Sequence, residues 1–500
     1  MLEKFKVNAI SCFPEDGLLG RRKIKTTVKK ITKENVREVL EDTIAVHAAN
    51  VAEITYLWDY YRGRQDILDK IKLVRENINN KIMVNRANEI VTFKTAYLLN
   101  EPIQYISHGD ENKSADKVIQ LNEFMRDEDK ESKDKEIVDW LHICGVAERL
   151  VLTDEMAQIE DGAPYYIYTL DPREAYVIYS AGIGEREMAG VILQYDEEEK
   201  LYATVYTENR CFTVTDDYVD ERGHILGGIP LVEYVNNMAR MGSFEGVIPI
   251  LNGINELESD AVDNVQDFVN GFDVFQNCKL EDGEYSQLAL GGKAVMIKTV
   301  TAGMEAKVYR ISSELNQSGV QQRVDDLTES YLTICGMPNR NGGSSTSDTG
   351  QAVIFRDGWS EAESRAKDSE KLFIRSERKF LRIVLNICKL KGGLDLSLKN
   401  IGINFARKSL NNLQSKFQCF MEGLGSSYVH PQDMYNAFGD VFGDKTAAYR
   451  RGMEWHKEQE EKRVNELDAE LERERLAAQQ NSNKKSTEPD GNESNGGEDK

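Results

Sequence analysis

From Gln351 to Lys391 the chain carries its longest helical pattern, roughly 60 Å if continuous at 1.5 Å per residue. Gly358 in its first turns is a predicted kink point, and Gly392-Gly393 is the predicted stop. What precedes this rod constrains the fold as much as its length. A helix at about 246–270 carries Val247, Ile250, Leu251, Ile254, Leu257, Ala261, Val265 and Phe268 as one apolar stripe. A short, Gly-rich, strand-like insert follows at about 271–310, and a second helix at about 312–335 returns and ends at Gly336-Met337-Pro338. The two helices are therefore expected to be antiparallel neighbours with the insert at their far end. Between them and the rod lies a polar loop, Asn339 to Gly350, which has no large apolar side chain and one basic residue, Arg340, balanced by Asp348. Such a loop cannot fold back onto a core and is expected to sit exposed, as an ordinary connector would too.

Ahead of this arrangement, Met1 to about Lys30 reads as extended. Lys33 to Tyr61 reads as a helix with Thr32 as N-cap and Glu34 in the first turn. Asn88 to Leu99 is a shorter helix stopped before Pro102. Ser114 to Cys144 reads as one helical stretch whose mixed-sign middle, Arg126 to Glu136, suggests a solvated face or a loop. From about 162 to 235, short β-branched and aromatic runs separated by turn formers predict one β-meander, closed by Gly227 to Tyr234. After 392 the pattern is mostly helical to about Arg451. Glu454 to Gln480 is a charged helix whose Val464, Leu467 and Leu471 fit a short coiled coil or a solvated helix equally well. Asn481 to Lys500 has no bulky apolar residue and is expected to be disordered. The fold class is α+β, mainly helical.

Composition sets outer limits. Five hundred residues suggest two to four domains. With 40% hydrophobic residues, wholesale disorder is excluded. A mean hydropathy of −0.52 and the lack of any long apolar run argue against an integral membrane protein. The start of the chain has no apolar segment of the secretory kind. The seven cysteines are widely spaced, contain no CxxC, and read as reduced thiols. No phosphate-binding P-loop is present: Gly291-Gly292-Lys293 runs into Ala294. Gly242-Ser243-Phe244-Glu245-Gly246 puts Phe where a nucleophile elbow needs Ser. The six histidines never fall at ligand spacing, and acidic pairs such as Asp325-Asp326 arise readily among 85 carboxylates. No catalytic residue, metal ligand or cofactor is therefore assigned.

Four stretches in order carry a resemblance. They are Asn88 to Tyr105; Gly228-Ile229-Pro230-Leu231-Val232-Glu233-Tyr234 with Val235 to Asn237; Gly246-Val247-Ile248-Pro249-Ile250-Leu251 to Asn255; and Cys335-Gly336-Met337-Pro338 through Thr349-Gly350-Gln351-Ala352-Val353. Over about 85–390 they resemble the bacteriophage portal protein, the head–tail connector, of long-tailed phages of Gram-positive bacteria. Asn100 stands where that family usually has glycine. From about 392 the likeness is only that of a helical region with a polar tail.

The resemblance implies a portal-type organisation. Residues 1–240 would form the wing, including the meander. Residues 241–335 would form the stem helices with the clip insert at about 271–310. Residues 336–391 would supply the tunnel loop and the long wing helix, 392–453 the crown, and 454–500 a charged helix and tail. It implies that Asn339, Arg340, Asn341, Ser344, Ser345, Thr346, Ser347 and Asp348 face double-stranded DNA in a central channel. It further implies a homododecameric ring at one capsid vertex of the virion, assembled in the host cytoplasm. Its partners would be terminase (which hydrolyses the ATP), scaffolding and major capsid proteins, and the head-completion adaptor, with no membrane and no catalysis of its own. Two other readings stay open from the residues: a metal-dependent hydrolase or nuclease, and a cytosolic scaffold with a coiled-coil C-terminus.

Charge separates gripping DNA from passing it. Lys and Arg total 63 against 85 Asp and Glu, a net −22. A DNA grip works by basic residues that displace counterions, so −22 argues against one. An acidic, polar wall repels phosphates and lets a duplex slide, which a conduit requires.

Overall fold

Apolar residues at three- and four-residue spacing make α1 (Val36–Arg62) a rod of roughly 40 Å. Its cap is Asn35 rather than Thr32. Thr32 N–H donates to Asn35 Oδ1 at 2.8 Å and the Val36 N–H to Thr32 O at 2.9 Å, so 33–35 close into a turn before the helix starts. Gly63, at φ 102°, ends it. The first half, through Val39, Leu40 and Ile44, packs on a β-sheet, and the second half, through Ile54, Leu57 and Tyr60, enters a different core.

The structure is a computed structural model that describes residues 7–73, 78–107, 112–153, 162–269, 272–279, 298–299, 305, 307–311, 317–339, 358–405, 413–426, 428–438 and 445–485. They divide into two units, 1–408 and 409–500.

The first unit holds the sheets. Its strands begin with β1 (Lys25–Thr26), β2 (Gln104–Ser107), β3 (Val146–Leu152), β4 (Tyr166–Leu170) and β5 (Ala175–Ser180). They continue with β6 (Glu187–Tyr195), β7 (Leu201–Tyr206), β8 (Arg210–Val214), β9 (Val219–Gly223) and β10 (Leu231–Val235). The expected single meander is two sheets. One has the order β1-β5-β6-β7-β8-β9, antiparallel except for the parallel β1–β5 edge, and the other the order β10-β3-β4. The cause is β3, buried from Val146 to Val151 and so without polar alternation, which captures β4 and β10 on its two edges. Leu150, Val177, Ile192 and Leu231 seal one sheet to the other.

The expected helix from 114 to 144 is likewise two, α3 (Asn112–Asp127) after α2 (Arg86–Leu98), and then α4 (Lys130–Cys144). The break falls at Asp129, which takes φ 48°. The charged run around it is not merely a solvated face: Lys130 and Asp134 are 4% and 3% exposed.

The helix pair is α5 (Ile248–Val269) and α6 (Gln317–Cys335), and the long rod is α7 (Trp359–Lys391), roughly 50 Å. Gly358, at φ 83°, is the N-cap of α7, and 351–357, where the longer helix was expected to begin, lie outside the described residues. Past Gly392-Gly393, the region read as helical opens with β15 (Ile401–Asn404), which pairs antiparallel with β2. The pairing ties 401–404 to the first unit's largest core, where α7 lays Phe373, Phe380, Leu381 and Val384 against α3, α4 and β3. Between α5 and α6, strands β11 (Phe272–Gln276) and β14 (Lys307–Ile311) form one antiparallel ladder, and β12 (Cys278–Lys279) and β13 (Lys298–Thr299) a second.

The second unit contains α8 (Leu413–Leu424), α9 (Pro431–Phe438) and α10 (Lys445–Lys485). Phe420 packs edge-on to Tyr435, whose ring meets Tyr449. The helix α10 continues to Lys485, into the segment expected to be disordered, and 486–500 lie outside the described residues. Val464, Leu467 and Leu471 are each more than half exposed.

Candidate functional site

The helix pair α5 and α6 is built from the end where the chain enters α5 and leaves α6. Tyr331, Leu332 and Cys335 of α6 share a core with Leu251 and Ile254 of α5. Cys335 lies against the carbonyl of Ser243, just before α5, and Leu327 sits beside Gly253, so the two helices run antiparallel. The β11–β14 ladder joins their other ends. The pair is strongly acidic: α5 has five acidic residues and no basic one, and α6 three against Arg323.

A second face of α5 is polar and buried. Asn255 and Ser259 are fully buried and Asp263 nearly so. With Asn252 they form a stripe at helical spacing that receives the strap between α1 and α2. Tyr60 Oη donates to Asn252 at 2.8 Å, and Asn255 donates to Gln65 at 2.6 Å. The N–H groups of Val84, Ile82 and Asn80 donate to Asn255 at 2.8 Å, Ser259 at 2.9 Å and Asp263 at 2.8 Å. Lys72 pairs with Asp263, and Lys70 with Asp260 at 2.7 Å. A strap with no sheet to join thus satisfies its backbone on one helix. The apolar stripe predicted from sequence finds α6; the polar one was missed, although Asn252, Asn255, Ser259 and Asp263 recur at three and four residues.

The entry to α5 is clamped. Arg21, from the extended N-terminal segment, is 2% exposed and pairs with Glu53 of α1 at 2.9 Å and Glu245 at 2.7 Å. Burial pushes the Glu245 carboxyl up while Arg21 pulls it back. Glu245 also accepts from the Gly242 N–H at 2.7 Å.

The exit from α6 is the junction with the long helix. Gly336, at φ 64°, turns the chain, and the Met337 N–H donates to Leu332 O at 2.8 Å. Arg365 of α7 crosses this turn and donates to Ile334 O at 2.7 Å, a cation placed on a helix C-terminus. A Cβ on Gly336 would come within 2.3 Å of Arg365 Cδ. A Cβ on Gly358 would lie 3.7 Å from Pro338 Cα. The chain therefore leaves at Pro338 and returns at Gly358, side by side. Of the residues predicted to face the channel, Asn339 is half-buried at this point of departure. Arg340, Asn341, Ser344, Ser345, Thr346, Ser347 and Asp348 lie outside the described residues.

The rod that starts here is anchored by a buried charge cluster. Glu377 of α7 meets Lys130 at 2.9 Å and Arg149 at 3.4 Å, and accepts from the hydroxyls of Tyr234, at 2.7 Å, and Tyr105. Asp134 meets Lys130 at 2.6 Å and Arg149 at 2.5 Å. Two cations and two anions close on one another. Burial alone would raise the Glu377 carboxyl, but Lys130 and Arg149 hold it at about 2. Beside this cluster, burial and the neighbouring Glu233 push the Glu148 carboxyl well up, and its Oε2 has no partner.

Among the described residues no group of three or more His, Cys, Asp and Glu could hold a metal ion, and no helix is long and apolar enough to cross a membrane. His47 and His142 are buried, and burial lowers them to about 4 and about 3.

What these parts define is a scaffold: an acidic helix pair closed by strands at one end and, at the other, handing the chain to a long anchored rod. Comparison with known families gives the class. A family model described as phage portal protein, SPP1 Gp6-like, matches residues 40–426, and the chain belongs to that family. The match extends past about 392, where the likeness read from the sequence became only general. No curated protein matches the chain. Portal proteins are structural components of the bacteriophage head–tail connector that serve DNA packaging, not enzymes.

Proposed function

We propose that the chain forms a ring at one capsid vertex and that double-stranded DNA enters and leaves through its axis. The observation that carries this reading is the adjacency of Pro338 and Gly358 at the base of an antiparallel stem. In this reading the intervening segment, with Asn339, Arg340, Asn341, Ser344, Ser345, Thr346, Ser347 and Asp348, is the part that meets DNA at the axis. The stem's acidic surplus supports a wall that repels phosphates instead of holding them.

In this reading the wing is 1–240 with α7, the stem 241–335, and the clip the insert at about 271–310. The pairing of β15 with β2 supports starting the crown near 409 instead of 392. The clip meets terminase during packaging and the head-completion adaptor afterwards. Scaffolding and major capsid proteins surround the wing, in the virion and, during assembly, in the host cytoplasm. The ring holds twelve copies.

Replacing Ser344 to Ser347 with bulky apolar residues tests the DNA role. Assembly is expected to proceed and DNA packaging or retention to fail. Normal packaging by the variant removes the role assigned to the loop.

A further inference from the structure

The long rod α7 changes electrostatic character halfway along. In its first half each exposed cation has a local acid: Arg365 pairs with Glu361 at 2.8 Å, Lys367 with Glu363 at 3.4 Å and Lys371 with Asp368 at 2.7 Å. In the second half Lys379 reaches Glu187 and Lys389 reaches Asp395. Arg375, Arg378 and Arg382 reach nothing. All three are exposed, and none has an ion pair, hydrogen bond or ring contact among the described residues. Their i, i+3, i+7 spacing puts them in one row about 10 Å long. The opposite side of the same turns is fixed by Glu377, Phe380, Leu381 and Val384 in the core, so the row is held rigidly outward.

An unpaired row of three arginines is out of place on a chain with a net charge of −22. Copies of such a chain repel one another, so any ring they close needs a local patch of opposite sign at each joint. A cyclic ring also needs two unlike faces per copy, because the contact is head-to-tail. Arginine suits the positive half: its planar fork takes carboxylates in paired hydrogen bonds, and it sheds water more readily than lysine. A duplex-facing row would instead grip phosphates in a channel that must let them slide. We infer that Arg375, Arg378 and Arg382 form the positive half of the joint between neighbouring copies, docking on a carboxylate-bearing face of the adjacent copy. This inference rests on the ring reading above.

The test uses the full-length chain and the triple variant Arg375→Glu, Arg378→Glu, Arg382→Glu. Wild-type assembly is measured first by native mass. If the wild type never forms a ring, the ring reading falls, and this inference falls with it before any variant is made. If it does, the variant is expected to keep its circular dichroism and melting behaviour yet stay monomeric. Mixed with wild type in equal amounts, it should cap growing arcs through its one intact face and lower ring yield. A variant that forms rings at the wild-type concentration and salt overturns the inference, as does one that forms normal rings and loses only DNA retention. The Arg→Gln triple variant decides the matter should the Glu variant not fold. It should require about tenfold more protein to assemble, and an unchanged requirement contradicts the inference.

Discussion

Glu148 and Glu377 are both buried carboxyls, and they answer pH in opposite directions. Glu148 is pushed up by burial and by Glu233, so the folded chain keeps its proton at pH values where the unfolded chain has released it. Stability then falls as pH rises above the ordinary carboxylate range. The Glu148→Gln variant should be more stable than wild type by on the order of 1 kcal/mol at pH 8, with the gap closing toward pH 4. Urea midpoints across that range check this, and a less stable variant at pH 8 contradicts it. Glu377 is held at about 2 by Lys130 and Arg149 despite its burial. Its contribution is present above the ordinary carboxylate pKa and is lost as pH falls toward 2. Glu377→Gln leaves two buried cations facing one anion and should cost about 3–5 kcal/mol at pH 7 by urea unfolding.

At the scale of elements, the strap on α5 makes the sharpest prediction. Asn255→Leu strands the Val84 N–H and the Gln65 Oε1 in a buried site, at a cost of about 2–4 kcal/mol. Hydrogen exchange should show the amides of Val84 and Ile82 losing protection before the rest of the fold. Retained protection would mean the strap is held by something else. This element also shows what the sequence could and could not reveal. The apolar stripe of α5 was legible because burial against a neighbouring helix leaves a period. The polar stripe had the same period, but buried polar residues look like a solvated face until their partners are known, and those lie 171 to 192 residues upstream. The cluster of Lys130, Asp134, Arg149 and Glu377 was hidden for the same reason, since Arg149 and Glu377 are 228 residues apart. Helix ends at Gly63 and Gly336 were readable because a left-handed turn selects glycine locally. The strand β3, buried without alternation, offered no such local sign.

For the whole molecule, one expectation comes from the net charge of −22 with the acidic α5–α6 pair, and one from the C-terminal helix. The isolated chain should bind linear duplex DNA weakly at physiological salt, and tight, salt-sensitive binding would contradict a sliding wall. Truncation after Gln480 should leave assembly intact, whereas a scaffold held by the 454–480 helix would lose assembly on deletion of Glu454 to Lys500. The ordered matches from Asn88 to Val353 made the portal family legible, because they reflect a succession of elements and not one motif. The channel-facing role proposed for Ser344 to Ser347 belongs to the assembled ring, because a channel exists only between neighbouring copies. The most direct measurement is the native mass of the full-length protein, with electron micrographs of the same particles. Twelve copies of the 56.7 kDa chain, about 680 kDa, in a ring with an axial hole is the expected result. A monomer at every concentration and salt, with no ring in the images, would contradict it.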